Sequence, residues 1–146
     1  FASRLEPYLP GLITTDADRA LLLAAAPLVQ ERMQLLGEAP GLLSFLFTAD
    51  SDLVVEADAL PGAEGAEVLD AALSVLPGIP SWTTAAIEEA LRTELIEARG
   101  MKPRNAFGPL RSAISGRRIS PPLFESMELL GRESSITRIE RLRAAL

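Results

Sequence analysis

Three features of the sequence predict an all-α fold. Apolar residues recur at helical spacing, as at Val68, Leu69, Ala72, Leu73 and Leu76. No segment sustains the period-two alternation of a strand. Residues that start and stop helices punctuate the chain at short intervals. The expectation is about seven or eight short helices in two small helical subdomains, residues 1–63 and 64–146. With 48% hydrophobic and 23% charged residues, the 146-residue chain has the composition of a folded, water-soluble domain.

Each element has a local cause. Thr15 and Asp16 can open a helix over 16–26, with Asp18 standing three residues after Thr15 in place of a capping-box Glu. Pro27 suits the first turn of a separate second helix over 28–36, ended by Gly37. A short apolar run, 42–47, follows Pro40-Gly41, and the acidic stretch 49–65 reads as a connection. A helix is expected over 67–76, then a break at Pro77-Gly78-Ile79-Pro80. The next runs to Arg99 on a stripe of Ala86, Ile87, Ala90, Leu91, Leu95 and Ala98, with Glu88 and Arg92 paired four apart, and Gly100 stops it. A short helix fits 106–114 before Gly116. Ser120-Pro121 supplies an N-cap and first-turn proline for a helix to Leu130. The last begins at Ser134 and carries Ile136, Ile139, Leu142 and Leu146.

Composition removes most self-contained chemistry. The chain has no cysteine and no histidine, and Lys102 is its single lysine. Disulfide scaffolds, thiolate metal sites and histidine-activated nucleophiles are therefore excluded. The acidic pairs Asp50/Asp52 and Glu56/Asp58 lack the glycine and terminal glutamate of a calcium loop and read as a solvated surface. Neither Gly-rich phosphate-loop signature occurs. The most apolar stretch, 20–29, is about half a membrane span and contains Pro27. The start Phe1-Ala2-Ser3-Arg4 is unlike a secretory signal, so a cytoplasmic protein with no membrane partner is expected, and a first residue of Phe rather than Met leads to the expectation of a fragment of something larger.

Charge is distributed unevenly. The net value is -6, yet residues 98–124 carry six cations and no acid, while the rest carries eight cations against twenty acids. The basic window holds Arg99, Lys102, Arg104, Arg111, Arg117 and Arg118. Planar arginine forks suit phosphate oxygens and the edges of unpaired bases. The alternative is an Arg-rich face that pairs with acids on the other subdomain, is merely solvated, or docks an acidic protein partner. Phe107 could stack on a base, although an aromatic amid Ala, Leu and Ile more often belongs to the core.

The window also carries a motif order. Pro109-Leu110-Arg111 leads through small and apolar residues to Gly116; Ser120-Pro121-Pro122-Leu123-Phe124-Glu125 and Leu129-Leu130-Gly131-Arg132-Glu133 come after it. With Trp82, and with Gln30-Glu31-Arg32-Met33-Gln34-Leu35-Leu36, Ala39-Pro40 and Phe45-Leu46-Phe47 upstream, this resembles the C-terminal region of bacterial glutamyl-tRNA synthetases. The resemblance is specific over 82–146 and looser over 27–47.

That family consists of class I synthetases with a Rossmann-type catalytic domain followed by a helical anticodon-binding bundle. The resemblance implies that this chain is the bundle alone, binding tRNA and catalysing nothing. ATP and Mg would belong to the absent catalytic domain, and no cofactor or metal to this one. By similarity, Arg32 would read the third anticodon base, and Arg111, Ser120 and Pro121 would contact anticodon bases. Arg99, Lys102, Arg104, Arg117 and Arg118 would meet the tRNA backbone. Glutamate tRNA is the implied partner, with glutamine tRNA left open and DNA excluded; the parent would be a monomer. The acids Asp50, Asp52, Glu56 and Asp58 would discourage nonspecific RNA contact away from the reading surface.

Overall fold

The computed structural model describes residues 2–30 and 36–146. Among the described residues every regular element is helical. The chain opens with α1 (Ala2–Leu5) and a 3-10 turn, Glu6–Tyr8, that bury Leu5 and Leu9. Helix α2 (Asp16–Gln30) starts where Thr15 and Asp18 cap each other. The Asp18 amide donates to Thr15 Oγ1 at 3.1 Å, while Asp18 Oδ2 accepts from the amides of Thr14 and Thr15 at 3.0 and 3.1 Å. Those bonds, the Thr14 amide first, hold the Asp18 carboxyl below its ordinary range.

Pro27 does not divide this segment into two helices, as the sequence suggested; α2 runs through it. Its ring removes the amide that would bond the Leu23 carbonyl. Leu23 and Pro27 both face solvent, so water can take the released carbonyl. Much of the expected 28–36 helix, Arg32 included, lies outside the described residues.

Helix α3 (Ala39–Phe47) places Pro40 in its first turn and buries Leu43, Phe45 and Leu46. The acidic stretch is a connection, as expected, ordered by 3-10 turns at Asp50–Asp52 and Ala57–Ala59. Helix α4 (Gly65–Val75) buries Val68, Leu69, Ala71 and Ala72. Helix α5 (Thr84–Leu91) is capped by Thr83, whose hydroxyl accepts from the Ala86 amide at 3.2 Å, and by Glu128, which accepts from the Thr84 amide at 2.7 Å. It continues as a π-helical turn, Arg92–Glu97. The Ala98 amide bonds five residues back to Thr93. The wider turn rotates the residues beyond it, so Ala98 leaves the expected stripe and is exposed.

Helix α6 (Pro103–Ser115) starts three residues earlier than expected because Pro103 takes the first helical position. Helices α7 (Leu123–Leu130) and α8 (Arg132–Ala145) meet at Gly131, whose φ of 91° turns the chain between them. The sequence expectation that Ser120 caps α7 is corrected: Pro122 occupies the cap position, at ψ 134°. Each of the consecutive prolines 121 and 122 pushes the residue before it out of the helical region.

Among the described residues the buried apolar side chains, Ala59 apart, form one continuous core fed from both ends of the chain. Helix α4 lies on α6 and α8, α5 on α7, and α2 and α3 reach α7. Trp82 stitches the second half together: its Nε1 donates to the Met127 carbonyl at 2.8 Å, and the Arg132 guanidinium lies 5.4 Å from its ring.

Among the described residues one charged side chain is buried. Arg138 is 3% exposed, on the same face of α8 as Ser135, Ile139 and Leu142. Its Nε donates to Asp50 Oδ1 at 2.7 Å, Nη1 to the carbonyls of Phe45 and Ile114 at 3.0 and 2.8 Å, and Nη2 to the Thr48 carbonyl at 2.7 Å. These carbonyls lie at the C-terminal ends of α3 and α6, where helix amides run out, although Phe45's also accepts from the Thr48 amide at 3.4 Å. Ser134 completes the knot by donating to Asp50 Oδ2 at 3.0 Å.

Replacing Arg138 by Met should take this donor from the Ile114 and Thr48 carbonyls and the cation from Asp50, lowering stability by about 3–5 kcal/mol. Urea unfolding followed by circular dichroism reads this, and a loss under about 1 kcal/mol would refute the anchoring role. Asp18 makes a separate, pH-dependent contribution. Its folded-state pKa is lowered, so the stabilisation is present above the unfolded value and disappears as pH falls through the folded one. Protection of the Thr14 and Thr15 amides, measured against the intrinsic exchange rate at each pH, should fall over that acidic interval in the native chain, and an Asp18→Asn variant should lack the step.

Candidate nucleic-acid interface

The basic window is built around the end of α6. Arg104, Asn105, Gly108, Arg111 and Ser112 share one side of the helix, with Arg104, Gly108, Arg111 and Ser112 recurring at helical three- and four-residue spacings. Gly116 ends the helix at φ +75°, a conformation that disfavours a side chain. A Cβ there would also lie 2.4 Å from the Val54 carbonyl oxygen. Ser115 orders the next turn: its hydroxyl donates to the Arg111 carbonyl at 2.8 Å and accepts from the Arg117 amide at 3.2 Å.

The acidic connection is fastened along this helix end. The Glu56 amide donates to the Gly116 carbonyl at 2.8 Å, and Ser112 Oγ donates to the Ala59 carbonyl at 2.5 Å. Between the two walls runs a groove of about 880 Å³. Arg104, Arg111 and Arg118 line it from the basic side, and Asp58, Leu60 and Glu64 from the connection. A second groove of about 740 Å³ adjoins it, sharing Asp58 and Arg118 and adding Glu56, Arg117, Leu42 and Ile119. Ile119 is 76% exposed, an apolar tip beside two arginines.

The sequence-predicted residues are therefore not all gathered. Arg104, Arg111 and Arg118 share a groove, with Arg117 next to them. Arg99 lies off both grooves, held by Glu94 at 3.1 Å and Glu67 at 3.3 Å. Lys102, exposed at the start of α6, also lies off them. Ser120 and Pro121 are buried in the turn, where Ser120 Oγ donates to the Pro121 carbonyl at 3.1 Å. Arg32 lies outside the described residues. Phe107 is core, stacked edge-on to Phe124 at 5.2 Å with the Arg92 guanidinium over both rings.

Sequence reasoning missed the acids. Glu56 and Asp58 were expected away from the basic surface, yet they line its grooves together with Glu64, and Glu56 pairs with Arg117 at 3.4 Å. Asp50 is an internal counter-ion rather than a repulsive surface charge. Pairing with acids of the other subdomain thus describes Arg117 with Glu56, whereas Arg99 pairs with Glu67 and Glu94 within its own. Only a fold that lays 54–64 along α6 reveals this arrangement.

Residues 1–143 match the family model described as the anticodon binding domain. The chain belongs to that family. Similar proteins include the glutamate–tRNA ligase of Kineococcus radiotolerans, 56% identical over 153 residues, and that of Kocuria rhizophila, 54% identical over 153 residues. Each alignment takes in 100% of this anticodon binding domain and 30% of the ligase, so the chain spans about a third of the length of these relatives. The helical architecture recurs in a crystal structure of a glutamate tRNA ligase from Elizabethkingia meningosepticum, with a TM-score of 0.80 at 21% identity. That match covers 99% of this domain and 28% of the solved chain.

Because the arginine positions depend on how the connection meets α6, Gly116 is the residue to perturb. In this anticodon binding domain, Gly116→Ala should cost about 1–3 kcal/mol from backbone strain, with the Val54 clash in addition. Limited proteolysis should then cut within 49–64 faster than in the unaltered chain. An unchanged cleavage pattern and thermal midpoint would refute the role of this contact.

Proposed function

We propose that this domain reads the anticodon of glutamate tRNA for a glutamate–tRNA ligase. The single observation that carries the reading is the groove with Arg104, Arg111 and Arg118 along α6 in a member of the anticodon binding domain family. An anticodon loop can splay its bases, presenting edges that a duplex hides. A guanidinium on the groove wall can donate two parallel bonds to such an edge, and a wrong base leaves those donors unpaired.

Arg111 is the base reader we assign within the described residues, with the turn at Ser120-Pro121 shaping its surroundings and Arg32 serving a second base. Arg104 and Arg118 meet phosphates; among the described residues neither forms an ion pair with an acid. Arg117, Arg99 and Lys102 join the backbone contact, the first two by exchanging carboxylate partners for phosphate. Glutamate attachment, with ATP and Mg, falls to a catalytic portion outside this chain. We assign the ligase to the cytoplasm, as a monomer, with a division of this domain at 63/64 where the acidic connection gives way to α4. Among the described residues no helix is long and apolar enough to cross a membrane.

The test is binding of anticodon stem-loop RNAs at two salt concentrations. Arg111→Ala should remove about 1–3 kcal/mol of preference for the glutamate anticodon over a scrambled one. Arg118→Ala should weaken every stem-loop alike and reduce the salt slope by about 0.7–0.9. Equal binding of the scrambled and glutamate anticodons by the unaltered chain at physiological salt would refute base reading. Running glutamine tRNA's stem-loop alongside measures how strictly the site discriminates between the two.

A further inference from the structure

The Arg117–Glu56 ion pair stands in the second groove, where the connection crosses the end of α6. Both side chains are close to half exposed, at 44% and 48%. The backbone beneath them is fixed, because the Glu56 amide bonds the Gly116 carbonyl and Ser112 holds Ala59. Glu56 can therefore swing its carboxylate away from Arg117 without any movement of the chain. Asp58 comes next on the same connection and lines both grooves beside Arg118. The second groove carries Glu38, Glu56 and Asp58 against Arg117 and Arg118, so it is not electropositive on its own.

We infer that Glu56 is a built-in competitor for RNA phosphate at Arg117, holding down the affinity of the anticodon site for any RNA. The inference rests on the RNA-binding reading above. A phosphate reaching Arg117 takes the place of the Glu56 carboxylate, so each binding event exchanges one charge-assisted contact for another. Binding is weakened by the strength of an exposed ion pair, and dissociation is correspondingly easier, as suits a domain that must release its RNA in each cycle. Position along the connection supports a local device over a diffuse one. Asp52 sits on the same connection but lines neither groove, whereas Glu56 is pinned against the basic helix end.

Four forms of the 146-residue chain test this: unaltered, Glu56→Gln, Arg117→Gln and the double variant. The probes are the glutamate tRNA anticodon stem-loop and the same stem-loop with its anticodon scrambled. Glu56→Gln should tighten both RNAs by about 2–5-fold at low salt, with the gain shrinking as salt rises. Arg117→Gln should abolish that gain, so the double variant binds like Arg117→Gln alone. Asp52→Asn, which changes net charge equally, should leave affinity unchanged. Thermal unfolding of each variant separates folding from binding. Unchanged affinity in Glu56→Gln would overturn the inference while leaving the RNA reading intact. Selective weakening of the glutamate stem-loop would overturn it too, making Glu56 a positioning group for Arg117. If the unaltered chain binds neither RNA, the RNA-binding reading itself fails.

Discussion

The buried guanidinium of Arg138 is the constraint on which the rest of the arrangement depends. An arginine taken out of water must have its donors satisfied, because an unpaired buried charge is among the most destabilising features a fold can contain. Here the partners are the exposed-backbone ends of two helices and one carboxylate. The helix carbonyls carry partial negative charge, so a single cation satisfies the ends of α3 and α6 together. Asp50, at the start of the acidic connection, completes the set and is in turn held by Ser134. The side chain thus ties together Phe45, Thr48, Asp50 and Ile114, drawn from two segments remote in sequence. No apolar substitution of similar size could do this, since hydrophobic contact has no direction and leaves carbonyls wanting donors.

The location of that knot matters for the basic surface. Ile114 lies two residues before Gly116, and Asp50 lies four residues before Val54, whose carbonyl crosses Gly116. Fixing the end of α6 and the start of the connection therefore fixes where the connection crosses the helix. From that crossing, the pairing of Glu56 with Gly116 and of Ala59 with Ser112 sets the groove walls. Arg104 and Arg111 face the groove because α6 is helical; Arg118 faces it because the turn after Gly116 is ordered by Ser115. The arginine surface is a consequence of backbone hydrogen bonding a few ångströms away.

The same dependence separates the parts of the molecule that could be read in the sequence from those that could not. Local signals sufficed for most helices: Thr15 with Asp18, Pro40, the Pro77–Pro80 break, Gly100, Gly116 and Gly131 each act within a few residues of themselves. Pro27 misled because its effect depends on whether the carbonyl it frees faces water, a tertiary property. Ser120 misled because the second proline, one residue further on, moved the helix start. The π turn after Leu91 left no local signature and shifted Ala98 out of its stripe. Arg138 carries no local signal of its burial; its partner Asp50 is 88 residues away, and no spacing rule links them. The motif order around Arg111 led to the right family, while the companions of the arginines stayed hidden for the same reason as Asp50's partner.

Net charge is the quantity most altered by the fold. A value of -6 describes the whole chain, and the window 98–124 taken alone is strongly basic, but neither is the field a ligand meets. Within a Debye length of about 8 Å at physiological salt, what counts is which charges share a groove. There the three arginines of the first groove face Asp58 and Glu64, and the two of the second face Glu38, Glu56 and Asp58. A surface so balanced attracts a polyanion weakly at a distance and holds it only where side chains can be rearranged at contact. For the RNA partner we propose, this balance makes recognition depend on matching specific donors to specific acceptors, which suits discrimination among RNAs of identical backbone charge better than a uniformly basic face would.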